Sequence, residues 1–114
     1  MTERSIKTLL YNLFEYELYD KFHIIKGIDK IFEERYRING NGKVLDLLRN
    51  KILKVTKTAD YPIVTLRNGK KSKPFRIHLL LANTFLNNSV NNNLEVDHID
   101  RNKNNYKLEN LRLV

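Results

Sequence analysis

The chain has 114 residues, a length that suits one domain with a modest core and a helical extension. Its 21 Lys and Arg against 13 Asp and Glu leave a formal charge of +8, which favours polyanionic partners: DNA, RNA or an anionic membrane surface. Cysteine is absent, which excludes disulfides and cysteine-based zinc sites and fits a reducing compartment; no apolar run is long enough for a membrane span or a secretory signal, so a soluble protein is expected.

From the start, "TERSIKTLLYNLFEYELYDKFHIIKGIDKIFEERY" reads as helix. Ile6, Leu10, Leu13, Phe14, Leu18, Phe22 and Ile25 recur at spacings of three and four, the pattern of one buried helical stripe. Thr2 or Ser5 would cap it, Gly27 would break or bend it, and a short second helix is expected over Ile28 to Glu34. Tyr11, Tyr16 and Tyr19 suit either base stacking or packing at the core rim, with packing favoured.

The period then changes. "RYRINGNGKVLDL" sets Asn39-Gly40-Asn41-Gly42 between two β-prone runs, a strong turn signal. "KILKV" and "YPIVTL" are further strand candidates, with Pro62 expected at a strand start or on an edge strand. "RNGKKSK" makes a basic hairpin turn around Asn68-Gly69. "RIHLLLANTFL" returns to helical spacing, with Ile77, Leu80, Leu81 and Phe85 as its buried face. "NNSVNNN" is a polar linker, followed by a β-like "LEVDHI", a polar loop and a second β-like "LRLV". The many asparagines, with Lys and Ile, read mostly as AT-rich coding bias. The fold class expected is α+β: a helical segment over 1–35, a body of hairpins and a helix over 36–93, and a C-terminal hairpin unit over 94–114.

The last stretch carries chemistry. Hydrolysis of a phosphodiester needs a base for the attacking water, and an imidazole with a free pKa near ~6.5 is suited to that at neutral pH. The leaving oxygen develops negative charge, which a divalent cation beside it stabilises. Mg²⁺ often takes only one or two protein carboxylates and fills its shell with water and phosphate. One Asp beside one His is therefore a sensible minimum: Asp97 would hold the metal and His98 would activate water. Neighbours on a regular strand face opposite ways, so both serve one site only where the strand ends or twists sharply. Asn110 would return from the loop to hydrogen-bond the backbone near His98 and so fix the imidazole.

"VDHIDRNKNNYKLENLRLV", with "YRINGNGKVLDLLRNKILKV…YPIVTLRNGKKSKPFRIHLLLANTFL" upstream, resembles the HNH endonucleases of the homing type common in phages and large viruses. The likeness covers about Tyr36 to Val114. It implies a metal-dependent endonuclease cutting DNA, as a nick by a monomer, with a single Mg²⁺ or Mn²⁺. Asp97 matches the metal-binding acid, His98 the general base and Asn110 the Asn that braces the loop. The fold it implies here is a ββα-metal finger whose helix supplies a further ligand. This sequence stops at Val114, so the finger is expected to be shortened and to hold its cation less firmly. Leu111, Leu113 and Val96 would then need cover from the N-terminal helix, a second subunit or a partner protein. Leu79 stands where the family often has Arg, removing one phosphate contact.

Basic residues cluster at Arg49, Lys51, Lys54 and Lys57, at Lys70, Lys71, Lys73 and Arg76, and at Arg101, Lys103 and Lys107; these are the candidate phosphate contacts, and His78, at the start of its helix, is expected either to pack or to join them. The Asn68-Gly69 hairpin suits entry into a major groove as a β-ribbon. His23 has no assigned role. DNA is the expected partner, with RNA the alternative, in an intracellular or virus-associated setting. Two other readings stay open: a non-cleaving nucleic-acid-binding protein on the same scaffold, as in a ribonucleoprotein or packaged genome, and a split enzyme whose final helix comes from another chain.

Overall fold

The computed structural model describes residues 13–58, 60–86 and 94–114. Thr2, Ser5, Ile6, Leu10, Tyr11 and the linker over 87–93 lie outside the described residues.

The N-terminal stripe does not run on as one helix. Residues 13–15 are α-helical and pass into a π-helical turn, Tyr16–Asp20. Phe22 and Ile25, expected on the same helical face, are not helical, because His23–Ile24 form strand β1, antiparallel to β2 (Tyr36–Ile38) with His23 opposite Ile38. Ile25 is fully buried, so helical spacing was met by a residue that reaches the core from extended backbone. Gly27 takes a φ of +79°, open to glycine, and the chain turns there into the short helix α1, Lys30–Glu33. Tyr16 is exposed, whereas Tyr19 packs against the core.

Beyond it the two turn signals make two hairpins. β2 pairs with β3 (Val44–Asp46) across Asn39–Gly42, and β3 pairs with β4 (Lys51–Ile52), giving a sheet in the order β1-β2-β3-β4. The buried Asn39 side chain accepts the N–H groups of Asn41 and Lys43, a local bond that this residue type makes readily in turns. A second sheet, β5-β6-β7, joins Thr56–Lys57, Pro62–Asn68 and Lys71–Arg76. Pro62 is the first residue of β6, where its missing N–H costs least, and Pro62, Val64 and Leu66 alternate inward along the strand. Tyr36 links the sheets: its ring is buried, and its hydroxyl accepts from the Arg67 N–H at 2.9 Å and donates to the Arg67 carbonyl at 3.3 Å.

Helix α2, Ile77–Phe85, follows β7 without a break and touches β6, β7, β8 (Val96–His98) and β9 (Leu111–Leu113). Its inner face holds Ile77, Leu80 and Leu81, as the spacing predicts, with Phe85 half-buried at the end. One buried cluster runs from Ile25, Phe32 and Tyr36 through Val64 and Leu66 to α2, Leu108 and Leu111. The cover expected from the N-terminal helix, a second subunit or a partner is thus supplied to Leu111 from within the chain, by α2; Val96 and Leu113 stay half-buried. The architecture is α+β, with short antiparallel strands and few helices. Among the described residues no helix is long and apolar enough to cross a membrane.

Candidate active site

β8 and β9 form a regular antiparallel ladder with Asp97 opposite Arg112 and His98 opposite Leu111. Consecutive residues of such a strand face opposite ways, and the two candidate residues differ accordingly. His98 is buried and packs beside two rings brought from elsewhere in the chain. The His78 ring lies 4.8 Å from it, edge-on, and the Tyr61 ring is stacked at 5.8 Å; Tyr61 and His78 are themselves 4.6 Å apart. Nε2 of His98 and Nδ1 of His78 have no hydrogen-bond partner. A buried polar atom without a partner costs about 1–3 kcal/mol, so two side by side point to a site shaped for something other than stability. Burial, reinforced by His98 and Arg76, pushes the His78 pKa down to about 4, so its imidazole is neutral at pH 7. His78 was expected either to pack or to touch phosphate; it packs, buried against Tyr61, because the first turn of α2 faces the hairpin.

Two cations stand over Tyr61. The Arg76 guanidinium is 4.8 Å from the ring centroid and the Lys103 ammonium 5.1 Å. Tyr61 was missed in the sequence. Its only local signal is the step before Pro62, which favours extended backbone, and nothing in the linear order shows that this step lies beside His98.

The loop from Ile99 to Lys107 is built by its own amides. Asn110 accepts the Asp100 N–H through Oδ1 at 3.0 Å and donates through Nδ2 to Asp100 Oδ1 and to the Asn105 carbonyl, both at 2.9 Å. Its backbone carbonyl takes the Ile99 N–H at 2.8 Å. The backbone leaving His98 is therefore held by Asn110, as its return from the loop predicts. Asp100 also accepts from Asn105 Nδ2 at 2.7 Å and from the Asn102 N–H at 2.8 Å; these bonds, Asn105 first, lower its pKa. Asn105 and Asn110 are thus scaffold in this loop, whatever the origin of the chain's many other asparagines.

On the other face Asp97 is half-exposed, and its Oδ2 takes a bond from Arg112 Nε at 2.8 Å. Asp97 and His98 do not converge in this arrangement. Strand alternation up to the ladder's end sets them on opposite faces, whereas a strand end twisted so that both serve one site was the expectation. Among the described residues no three His, Asp or Glu side chains come together to hold a metal. A single accessible carboxylate is the kind of donor a hard, water-rich divalent cation takes, and it does not make a closed protein cage.

The basic residues are spread over the exterior. Arg49, Lys51, Lys54 and Lys57 lie exposed along β4 and β5 and the segments beside them, and Lys70 and Lys71 at the β6–β7 turn, where Gly69 takes a φ of +60°. Lys73 is engaged by Asp29 at 3.4 Å and lies over Phe75. Arg101, Lys103 and Lys107 are exposed around the asparagine loop, and Leu79 is partly exposed on α2. His23 serves the fold, bonding the Glu17 carbonyl and lying edge-on to Phe85.

No protein-family model matches the chain. Individual proteins do. The H-N-H endonuclease F-TflII of Escherichia phage T5 is 41% identical over 78 residues, covering 67% of this chain and 40% of that protein. The DNA endonuclease I-HmuI of Bacillus phage SP01 is 36% identical over 91 residues, covering 79% of this chain and 49% of that protein. An uncharacterized HNH endonuclease of Acanthamoeba polyphaga mimivirus, L245, is 33% identical over 78 residues, covering 68% and 23%. The chain thus spans less than half the length of these relatives. Among solved structures, that of DNA binding and cleavage by the HNH homing endonuclease I-HmuI matches with a TM-score of 0.68 and 33% identity, over 82% of this chain and 52% of that one. By sequence and by fold together, the chain belongs to the HNH endonuclease family.

Proposed function

We propose that this chain carries the nuclease chemistry of an HNH endonuclease that hydrolyses a DNA phosphodiester bond and leaves a nick. The observation that supports this most is the hairpin of Asp97, His98 and Asn110, built on a fold shared with a DNA-cleaving relative. In this reading the water oxygen attacks phosphorus, His98 takes the proton that this water loses, and the bond from phosphorus to the leaving oxygen breaks. Asn110 acts on the backbone beside the base and keeps its angle. Asp97 would hold a single divalent cation, Mg²⁺ or Mn²⁺, which when bound supplies positive charge to the leaving oxygen. For both to serve one phosphate, Asp97 would release Arg112 and the end of β8 would twist when DNA binds. The exposed cations of the β6–β7 turn and the asparagine loop would bind the DNA backbone.

Supercoiled plasmid with Mg²⁺ or Mn²⁺ tests the reading. Nicking is expected, and His98→Ala should lower its rate by about 10²–10⁴-fold, the usual contribution of a general base. DNA binding with no nicking in either cation, and no change on His98→Ala, would sink it and leave a non-cleaving binder on the same scaffold.

A further inference from the structure

The closed state of His98 poses a question that the proposed reaction leaves open. The base is buried beside Tyr61, yet it has to meet a phosphate. Tyr61 is half-exposed and stands with Arg76 and Lys103 at its ring, both of them exposed. Neither of these cations forms an ion pair among the described residues, whereas Arg35, Lys73 and Arg112 each have a carboxylate within 3.4 Å. They come from different elements: Arg76 ends β7 immediately before the helix that carries His78, and Lys103 lies in the loop that leaves β8 after His98. Two unpaired positive charges are thus gathered at one ring that also lies against the base.

Resting such charges on an exposed ring gains little, whereas a phosphate offers each of them a charge-assisted hydrogen bond. We propose that Arg76, Lys103 and Tyr61 form a subsite for one backbone phosphate of the DNA strand to be cut, and that its occupation draws the two cations off the ring and uncovers His98. The subsite rests on the endonuclease reading and adds to it a place for the phosphate beside the base. It gives Tyr61 a role as the cover of the base in the free protein. It also accounts for a free structure in which the base has no route to a phosphate although the surrounding fold is that of a nuclease.

The test uses the whole chain, a short DNA duplex and two variants. Arg76→Gln with Lys103→Gln changes two exposed side chains and leaves the core alone. In the wild type, adding duplex should shift the His98 imidazole NMR signals, and log affinity should fall steeply with log salt. In the double variant the salt slope should shrink by roughly 0.9, the share of the one phosphate lost, and the His98 shift should vanish even at low salt where DNA still binds. Tyr61→Leu should speed modification of His98 by diethyl pyrocarbonate several-fold in the free protein. A double variant with the wild-type slope and the wild-type His98 shift would overturn the subsite while leaving the endonuclease reading in place. Unchanged His98 reactivity in Tyr61→Leu would overturn the cover. A wild type that binds no duplex at all would remove both the subsite and the reading beneath it.

Discussion

Two carboxylate–guanidinium pairs in this molecule have the same chemistry and the same length but different surroundings. Arg35 and Asp46 meet at 2.8 Å with side chains 21% and 2% exposed; Arg112 and Asp97 meet at 2.8 Å with side chains 59% and 36% exposed. Asp46 sits at the end of β3, takes both Nε and an Nη of Arg35, and also accepts the N–H groups of Leu48 and Arg49. These bonds, the Arg35 guanidinium first, hold its carboxyl below the usual carboxylate range although burial opposes them. Both oxygens of that carboxylate have fixed partners. Asp97 has one bond to one exposed arginine, at a surface screened by water and salt. The first pair is scaffold. The second is exchangeable, as a carboxylate must be if a cation is to claim it.

The comparison can be broken most sharply at Asp97. Asp97→Ala should lower the rate of plasmid nicking by about 10³-fold, or about 4 kcal/mol in the barrier, while the thermal midpoint hardly moves. A large loss of stability would put Asp97 in the same class as Asp46. Conversely, Asp46→Ala should destabilise the fold by about 3 kcal/mol, seen as a lower urea midpoint with an unchanged slope, because Arg35 and the turn after β3 lose their common acceptor. A midpoint within error of the wild type would show that the buried pair is as dispensable as the exposed one.

Acid sharpens the same contrast. His78 has its folded pKa pushed down, so the unfolded chain binds its proton first. Its contribution is whole above the ordinary histidine pKa of 6.5 and is lost progressively as pH falls from there towards 4, by roughly 2–3 kcal/mol in all. Asp46, also depressed, adds a further loss at lower pH, once the unfolded carboxyl begins to protonate below 3.8. Urea midpoints measured against pH should fall through this window in the wild type and run flatter between 6.5 and 4 in His78→Leu; parallel curves would exclude the His78 contribution. The smallest effect is expected at Arg112. Arg112→Ala should change stability by no more than about 0.5 kcal/mol in calorimetry, and a larger change would mean that the exposed pair shapes the hairpin after all.

Much of the scaffold was legible because it rests on local rules. Asn39–Gly42 and Asn68–Gly69 announced their hairpins through side-chain bonding and positive φ, and both hairpins formed. Helix α2 followed from Ile77, Leu80 and Leu81 at helical spacing. Helical spacing misled from Phe22 to Ile25, where pairing with β2 overrode it. The hydrogen bonds of Asn110 to the backbone after His98 were readable because their partners lie in the same loop. The other asparagines of that loop were not, since a residue type that coding bias also supplies gives no signal until its bonds are seen.

The sequence by itself determined the alternation of short strands and one amphipathic helix, the excess of positive charge, and the Asp97–His98 step with Asn110 behind it. These depend on spacing and on the chemistry of single residues. Tertiary structure alone decided that Tyr61 and His78 pack beside His98, that Arg76 and Lys103 stand over the Tyr61 ring, and that Asp97 pairs with Arg112 on the other face. The physical reason is that a strand sends neighbours to opposite faces, while what lies against each face comes from elements far along the chain, placed by the burial of a common core.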